Sequence, residues 1–238
     1  MTTTPPLTDQ DIQTRVLYRD ALMLVLDKPA GIAVHAGGAV RGPTLDRSFE
    51  ALRYGLPRRP ELAHRLDRET SGCLVLGRHR KSIADLNRMF REGRVEKIYL
   101  AVVEGAPPDE TGRIDLPLAK KDAARGWHMK VDPEKGLPAL TAYRVLARAA
   151  AHTLVELNLH TGRTHQLRVH MAAIGCPILG DRFYGNGGPM LHLHSWKVTV
   201  PLYPGRAPIR VEAPLPPHIA ATLRERALAW DDSAVAGV

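Results

Sequence analysis

TAYRVLARAAAHTLVELNL, residues 141–159, is the stretch whose pattern decides the fold class. Thr141 to Ala147 and Thr153 to Leu159 are rich in β-branched and apolar residues. The connection between them is short and Ala-rich, which predicts two strands joined as a hairpin. Upstream, VEKIYLAVVE (95–104) predicts another strand, with Lys97 and Tyr99 on one face beside Val95 and Ala101, and Ile98, Leu100 and Val102 on the other. Ala21 to Asp27, stopped by Lys28-Pro29-Ala30-Gly31, and Cys73 to Leu76 read as buried strands; Leu191 to Val200 and Ile209 to Ala213 complete the set. Lys81 to Arg91 places Ile83, Leu86, Met89 and Phe90 at helical spacing, with Arg80, Lys81, Arg88 and Arg91 around the rest, and Gly93 ends it. His165 to Ile174 reads as a second helix, with Thr164 as its N-cap and Gly175 then Pro177 as its stop. Ala220 to Trp230 reads as a closing helix. Adjacent strand pairs with irregularly interspersed helices, and no βαβ period, predict an α+β fold with a central mixed, largely antiparallel sheet and flanking helices.

Composition narrows the class. The chain has 238 residues, 44% of them apolar, which excludes a disordered protein. Only 5% are aromatic, against 20 Gly and 19 Pro, so the core rests on Leu, Val, Ile and Ala between many turns and an all-helical bundle is excluded. Cys73 and Cys176 form no metal or redox spacing. With no apolar leader in MTTTPPLTDQ and no run near the ~18 residues of a membrane span, the expected setting is the cytoplasm, away from membranes. Residues 1–12 are expected to be disordered, 13–220 to form one domain, and 221–238 to be a C-terminal helix and tail. About twenty residues precede the first core strand, and no further N-terminal module is expected ahead of it.

The net charge of +8 is uneven: residues 53–97 hold twelve Lys or Arg against six acids, while the first 52 residues are slightly acidic. A basic block of this kind is the electrostatic footprint of a polyanion, although a solvated basic face has the same composition.

Two constellations could carry chemistry. In HRLDRETSG (64–72), Asp67 lies between Arg65 and Arg68 in a loop ahead of a buried strand, as a nucleophile or base would, or as half of a surface ion pair. In LHTGRTHQLR (159–168), Arg163, His165 and Arg168 surround the first turn of a helix, where the dipole disfavours cations. An anion there would relieve the conflict, either a phosphate or a protein carboxylate such as Asp67. The histidines at 160, 165 and 170 cannot converge within one regular element, and only His192 and His194 share a strand face, so a metal hydrolase is a weak alternative. There is no GxGxxG, P-loop or GxSxG to support a nucleotide-dependent transferase or a serine hydrolase.

Taken together, HRLDRETSG, the Lys97-Ile98-Tyr99-Leu100 strand and LHTGRTHQLRVHMAAIGCPILGDRFYG resemble the RluA-like branch of the RNA pseudouridine synthases. VLDKPAGIAVH (25–35) and LHLHSWKVTV (191–200) look like further blocks of that family, so the resemblance covers roughly residues 16–215. It implies a catalytic domain whose sheet is divided by a cleft, and isomerisation of uridine to pseudouridine in ribosomal or transfer RNA, with no cofactor and no metal. It also implies roles by position. Asp67 matches the essential aspartate, Tyr99 the tyrosine that packs on the uracil, and Arg168 the basic residue that pairs with the aspartate. Leu167 matches the apolar residue beside it, and Arg65 a residue that fills the space of an extruded base. Arg163 and Lys97 are expected to bind substrate as well. Cys176 stands where many relatives have His, read as a packing change. A monomer is expected. The competing reading is an RNA-binding chaperone that keeps the fold without turnover.

Overall fold

The computed structural model describes residues 7–36, 42–121 and 128–230. The elements run α1 (Asp9–Thr14), β1 (Val16–Arg19), β2 (Met23–Lys28), a 3-10 helix (Leu45–Leu52), β3 (Glu61–Leu62), β4 (Ser71–Gly77), α2 (Arg80–Arg91), β5 (Glu96–Glu104) and β6 (Thr111–Asp115). There follow β7 (Leu118–Lys120), β8 (Met129–Val131), β9 (Leu140–Arg148), β10 (His152–Leu159), α3 (Gln166–Ala173), β11 (Leu193–Val200), β12 (Ile209–Glu212) and α4 (Pro217–Glu225). The fold is α+β with mixed, largely antiparallel strands, as the sequence predicts.

The chain divides into two compact units. Unit 1 comprises residues 1–98 and 194–214, and unit 2 comprises 99–193 and 215–238. Two of the three boundaries fall inside β5 and β11, so no linker composition marks them.

In unit 1 the strands run β1-β2-β4-β11, with β3 on β4 and β12 on β11. The β2–β4 pair is antiparallel, Met23 facing Gly77 and Lys28 facing Gly72, while β4–β11 is parallel. Met23, Val25, Cys73 and Val75 pack with Leu86 and Met89 of α2 and with Val198 and Val211. The apolar stripe of α2 therefore faces the sheet, and its four basic residues stay exposed.

In unit 2 the strands run β5-β10-β9-β6. The 141–159 hairpin is formed as expected, with Leu157 opposite Tyr143 and a bulge between Leu154 and Val155. Val102 and Leu154 are covered by Ile219 and Leu223 of α4, which starts at Pro217 and not Ala220 because proline is favoured in a first helical turn.

The N-terminus departs from expectation. Residues 9–14 form a helix: Thr8 accepts the amide of Asp11 at 3.1 Å and Asp11 accepts the amide of Thr8 at 3.0 Å, a reciprocal capping box, while Ile12 is buried. Residues 1–6 and the tail 231–238 lie outside the described residues.

Candidate active site

In unit 1 the HRLD segment runs without regular structure into a turn closed by the Thr70 amide on the Asp67 carbonyl at 3.2 Å. Burial alternates along it: Arg65 is exposed, Leu66 is buried and Asp67 is half-buried. Leu66 thus anchors the segment in the core while the residues on either side of it turn outward.

The turn is held mainly through its own backbone. Lys28, at the end of β2, is fully buried, and its ammonium donates to the carbonyls of Pro29 (2.8 Å), Arg68 (3.0 Å) and Thr70 (2.8 Å). Burial pushes this amine down to about 7, opposed by the charges of Glu69, Asp67 and Asp27. The Gly31 amide also donates to the Arg68 carbonyl, and Arg68 Nε returns a bond to the Gly31 carbonyl, each at 2.9 Å. On the other side, His64 stacks on Phe90 at 4.4 Å and accepts the Val75 amide on Nε2 at 2.9 Å; burial pushes this imidazole down to about 3, so it stays neutral. Past the turn, Ser71 Oγ meets His194 Nδ1 at 2.9 Å. Gly72 has φ +103°, and any Cβ there would collide with the Ser195 carbonyl and the His194 ring. Only glycine lets β4 lie this close to β11. Lys97 is also buried, and burial lowers its ammonium; it is not the exposed phosphate contact that a basic block suggests.

In unit 2, Tyr99, Leu167 and Arg168 are buried and Arg163 is exposed. The anion expected at the start of α3 is a protein carboxylate, Asp181. Its two oxygens accept Arg168 Nε and a terminal guanidinium nitrogen, both at 2.7 Å, in a bidentate pair with both side chains almost fully buried. Burial would raise the Asp181 carboxyl, but Arg168 and the amides of Phe183 and Tyr184 hold it below the usual carboxylate range. Arg163 instead spends its Nε on the Pro138 carbonyl at 3.1 Å.

Thr164 is not the helix cap. His165 takes that place in the left-handed region (φ 53°), costly for a non-glycine residue, and its Nδ1 meets the Tyr184 hydroxyl at 2.8 Å. The adjoining turn is tied by the Gln166 carboxamide oxygen, which accepts the Thr161 hydroxyl (2.7 Å) and the Arg163 amide (3.1 Å).

The candidate residues therefore form two sets: Arg65, Asp67 and Lys97 in unit 1, and Tyr99, Arg163, Leu167 and Arg168 in unit 2. The roles of Lys28, His64, Asp181 and Gln166 emerge only from the structure, although all four lie in stretches that carry the resemblance. The histidines have separate partners: His170 bonds Thr141 and Leu116, His192 bonds Thr222, and His194 bonds Ser71. Among the described residues there is no cluster of three or more metal-ligating side chains, and no helix is long and apolar enough to cross a membrane.

Comparison with known proteins fits this arrangement. The sequence profile of the RNA pseudouridylate synthase family matches residues 22–173. An uncharacterised RNA pseudouridine synthase of Zymomonas mobilis is 42% identical over 212 residues, covering 85% of this chain and 94% of that protein. Ribosomal large subunit pseudouridine synthase C of Pasteurella multocida is 35% identical, covering 90% and 69%. Its counterpart in Buchnera aphidicola, from Acyrthosiphon pisum, is 37% identical, but this chain spans only 55% of its length. Among solved structures, human RNA pseudouridylate synthase domain containing 4 superposes with a TM-score of 0.82 at 25% identity, covering 94% of this chain and 97% of that one. The chain belongs to the RNA pseudouridylate synthase family, and is an isomerase that acts on RNA.

Proposed function

We propose that this isomerase converts a specific uridine of structured ribosomal RNA to pseudouridine in the cytoplasm, acting as a monomer, with Asp67 as its catalytic carboxylate. The ribosomal target rests on the names of two relatives; transfer RNA is the second choice. The observation that carries the role of Asp67 is the turn that presents it: a half-buried carboxylate in the family's HRLD motif, on a backbone held by bonds from buried Lys28 to the carbonyls of Arg68 and Thr70.

The reaction breaks the bond between ribose carbon 1 and uracil nitrogen 1, turns the base, and forms a bond from the same ribose carbon to uracil carbon 5. The carbon-5 proton leaves to solvent and nitrogen 1 gains one, so the product is an isomer and no redox or phosphoryl cofactor is consumed. Asp67 can attack the ribose, attack the uracil or take a ribose proton, and each route needs an ionised oxygen. Arg168, pre-oriented by Asp181, supplies the cation that the resemblance pairs with that carboxylate. Tyr99 stacks on the uracil and brings its hydroxyl toward the carbon-5 proton, with Leu167 packing beside it. Arg65, exposed on the same segment as Asp67, fills the gap left by the extruded base, and Arg163 contacts phosphate.

Asp67→Asn tests the assignment. The amide conserves shape and removes charge, so RNA binding should persist while tritium release from RNA labelled at uridine carbon 5 falls to background. Substantial turnover by this variant refutes the role of Asp67. Loss of wild-type activity on chelation, with rescue by one divalent ion and the RNA still folded, would favour a metal-dependent enzyme.

A further inference from the structure

Phe183 has a fixed backbone and a partly exposed side chain. Its amide donates to Asp181 Oδ1 at 2.9 Å, so the carboxylate that holds Arg168 also holds this residue in place. Yet 45% of its surface is exposed, and among the described residues only Leu137 and Met190 are other large apolar side chains in that state. The ring is braced by His128, with centroids 4.9 Å apart, and by the Arg168 guanidinium 5.2 Å from its centroid.

It lines an open cavity of about 560 Å³ in unit 2. The floor is the C-terminal half of α3, where Ala172 and Ala173 leave room, and Lys121, Lys130 and Arg182 stand around it, all exposed. Lys130 pairs with Asp132 at 3.0 Å. Arg182 donates to the carbonyls of Gly188 (3.0 Å) and Pro189 (3.2 Å), which orients its guanidinium without neutralising it. Among the described residues that line it none is an acid. A rigid aromatic ring, a small-residue floor and a cationic rim match a nucleotide: the base has a π-face for the ring and the phosphodiester has charge for the rim. A protein helix would need a longer apolar groove than Phe183 and Met129 provide.

We propose that this cavity binds a nucleotide of the RNA substrate other than the isomerised uridine, with its base stacked on Phe183 and its phosphate held by Lys121, Lys130 and Arg182. The inference rests on the reading that the protein acts on RNA, and deepens it: this nucleotide would set the register in which the RNA lies along α3.

Two measurements test it on the full chain. The first is the affinity for a short single-stranded oligouridylate, and the second is KM and kcat for tritium release from uridine-labelled RNA prepared from cells lacking the protein. Phe183→Ala should weaken oligouridylate binding and raise KM by about 5- to 30-fold with kcat nearly unchanged, the loss expected of one stacked base. Phe183→Leu keeps apolar volume without a π-face and should behave like Ala, whereas Phe183→Trp should match wild type. Lys121→Ala combined with Lys130→Ala should flatten the salt dependence of binding. Unchanged affinity and KM in Phe183→Ala, or full function in Phe183→Leu, would overturn the site while leaving the isomerase reading intact. A fall in kcat alone would also overturn it, making Phe183 a support for Arg168. If the wild type released no tritium but its oligouridylate affinity still depended on an aromatic at 183, the site would stand and the proposed reaction would fail.

Discussion

The turn at 67–70 and the start of α3 present the proposed site residues of the two units, and they are held in opposite ways. The turn is tied through its main chain: one buried ammonium takes the carbonyls of Arg68 and Thr70, and the glycine that follows allows a close strand approach. The helix start is tied through side chains that reach distant partners, Arg168 to Asp181 and His165 to Tyr184. Main-chain ties fix where a loop lies and leave its side chains free to act. Side-chain ties immobilise the acting groups themselves, which suits an arginine that must present its charge in one orientation.

Removing Lys28 should do the greatest damage. Lys28→Met keeps most of the volume and leaves the carbonyls of Pro29, Arg68 and Thr70 without their buried donor, at about 1–3 kcal/mol for each that water cannot reach. The expected outcome is several kcal/mol of lost stability in urea unfolding, faster amide exchange at residues 67–72, and no detectable isomerisation. A stable variant with normal turnover would show that the loop holds itself.

Asp181→Asn comes next. Breaking a buried ion pair from one side typically costs about 3–5 kcal/mol, because the remaining charge is stranded. Here the amides of Phe183 and Tyr184 lose an anionic acceptor as well. The loss should appear in thermal unfolding, and activity should fall at saturating RNA because the arginine is no longer oriented. Double replacement with Arg168→Met should recover part of the stability and none of the activity; recovery of both would mean the pair is structural.

Acid sharpens the contrast between the units. Burial lowers the imidazoles of His170, His192 and His218 in unit 2, while His64 in unit 1 is pushed down to about 3. A neutral buried His takes up its proton in the unfolded chain first. The stability it contributes is therefore complete above about pH 6.5 and declines as pH falls, by up to about 1.4 kcal/mol per pH unit for each. With these three and His152, which burial also lowers, unit 2 should show faster exchange at α3 and α4 between pH 6.5 and 5 before β2 and β4 respond. Simultaneous loss in both units would mean that they unfold as one.

The two modes of attachment also explain what the sequence reveals. The β9–β10 hairpin, α2 and the Asp67 loop each carry their signal within a few residues: paired β-rich runs, a helical stripe, and a carboxylate between arginines with glycine behind it. Asp181 lies thirteen residues beyond Arg168, past the Gly175–Pro177 break, and no local period links the two. His165 looks like an ordinary first-turn residue because its left-handed backbone is imposed by its surroundings. Lys28 ends an apolar strand as a surface lysine would, and only the returning 68–70 backbone makes it a buried donor. The short strands β6, β7 and β8 have too few residues to show alternation. Two of the three boundaries between units lie inside strands, where composition does not change.

The smallest effect expected is that of Tyr184→Phe, and it asks whether the ties at α3 share their load equally. The Tyr184 hydroxyl accepts the Met129 amide at 2.9 Å and meets His165 Nδ1 at 2.8 Å, so it links β8 to the strained cap. Met129 is half-buried, so water can replace the lost hydroxyl at its amide, whereas His165 is buried. The cost should be about 1 kcal/mol, with a loss of turnover under tenfold, because the bidentate pair at Arg168 is untouched. Amide exchange should quicken at 129–131 and stay slow at 166–170. If turnover instead falls as far as in Asp181→Asn, the left-handed cap at His165 orients the arginine as much as its carboxylate does, and the side-chain ties at α3 act as a single unit.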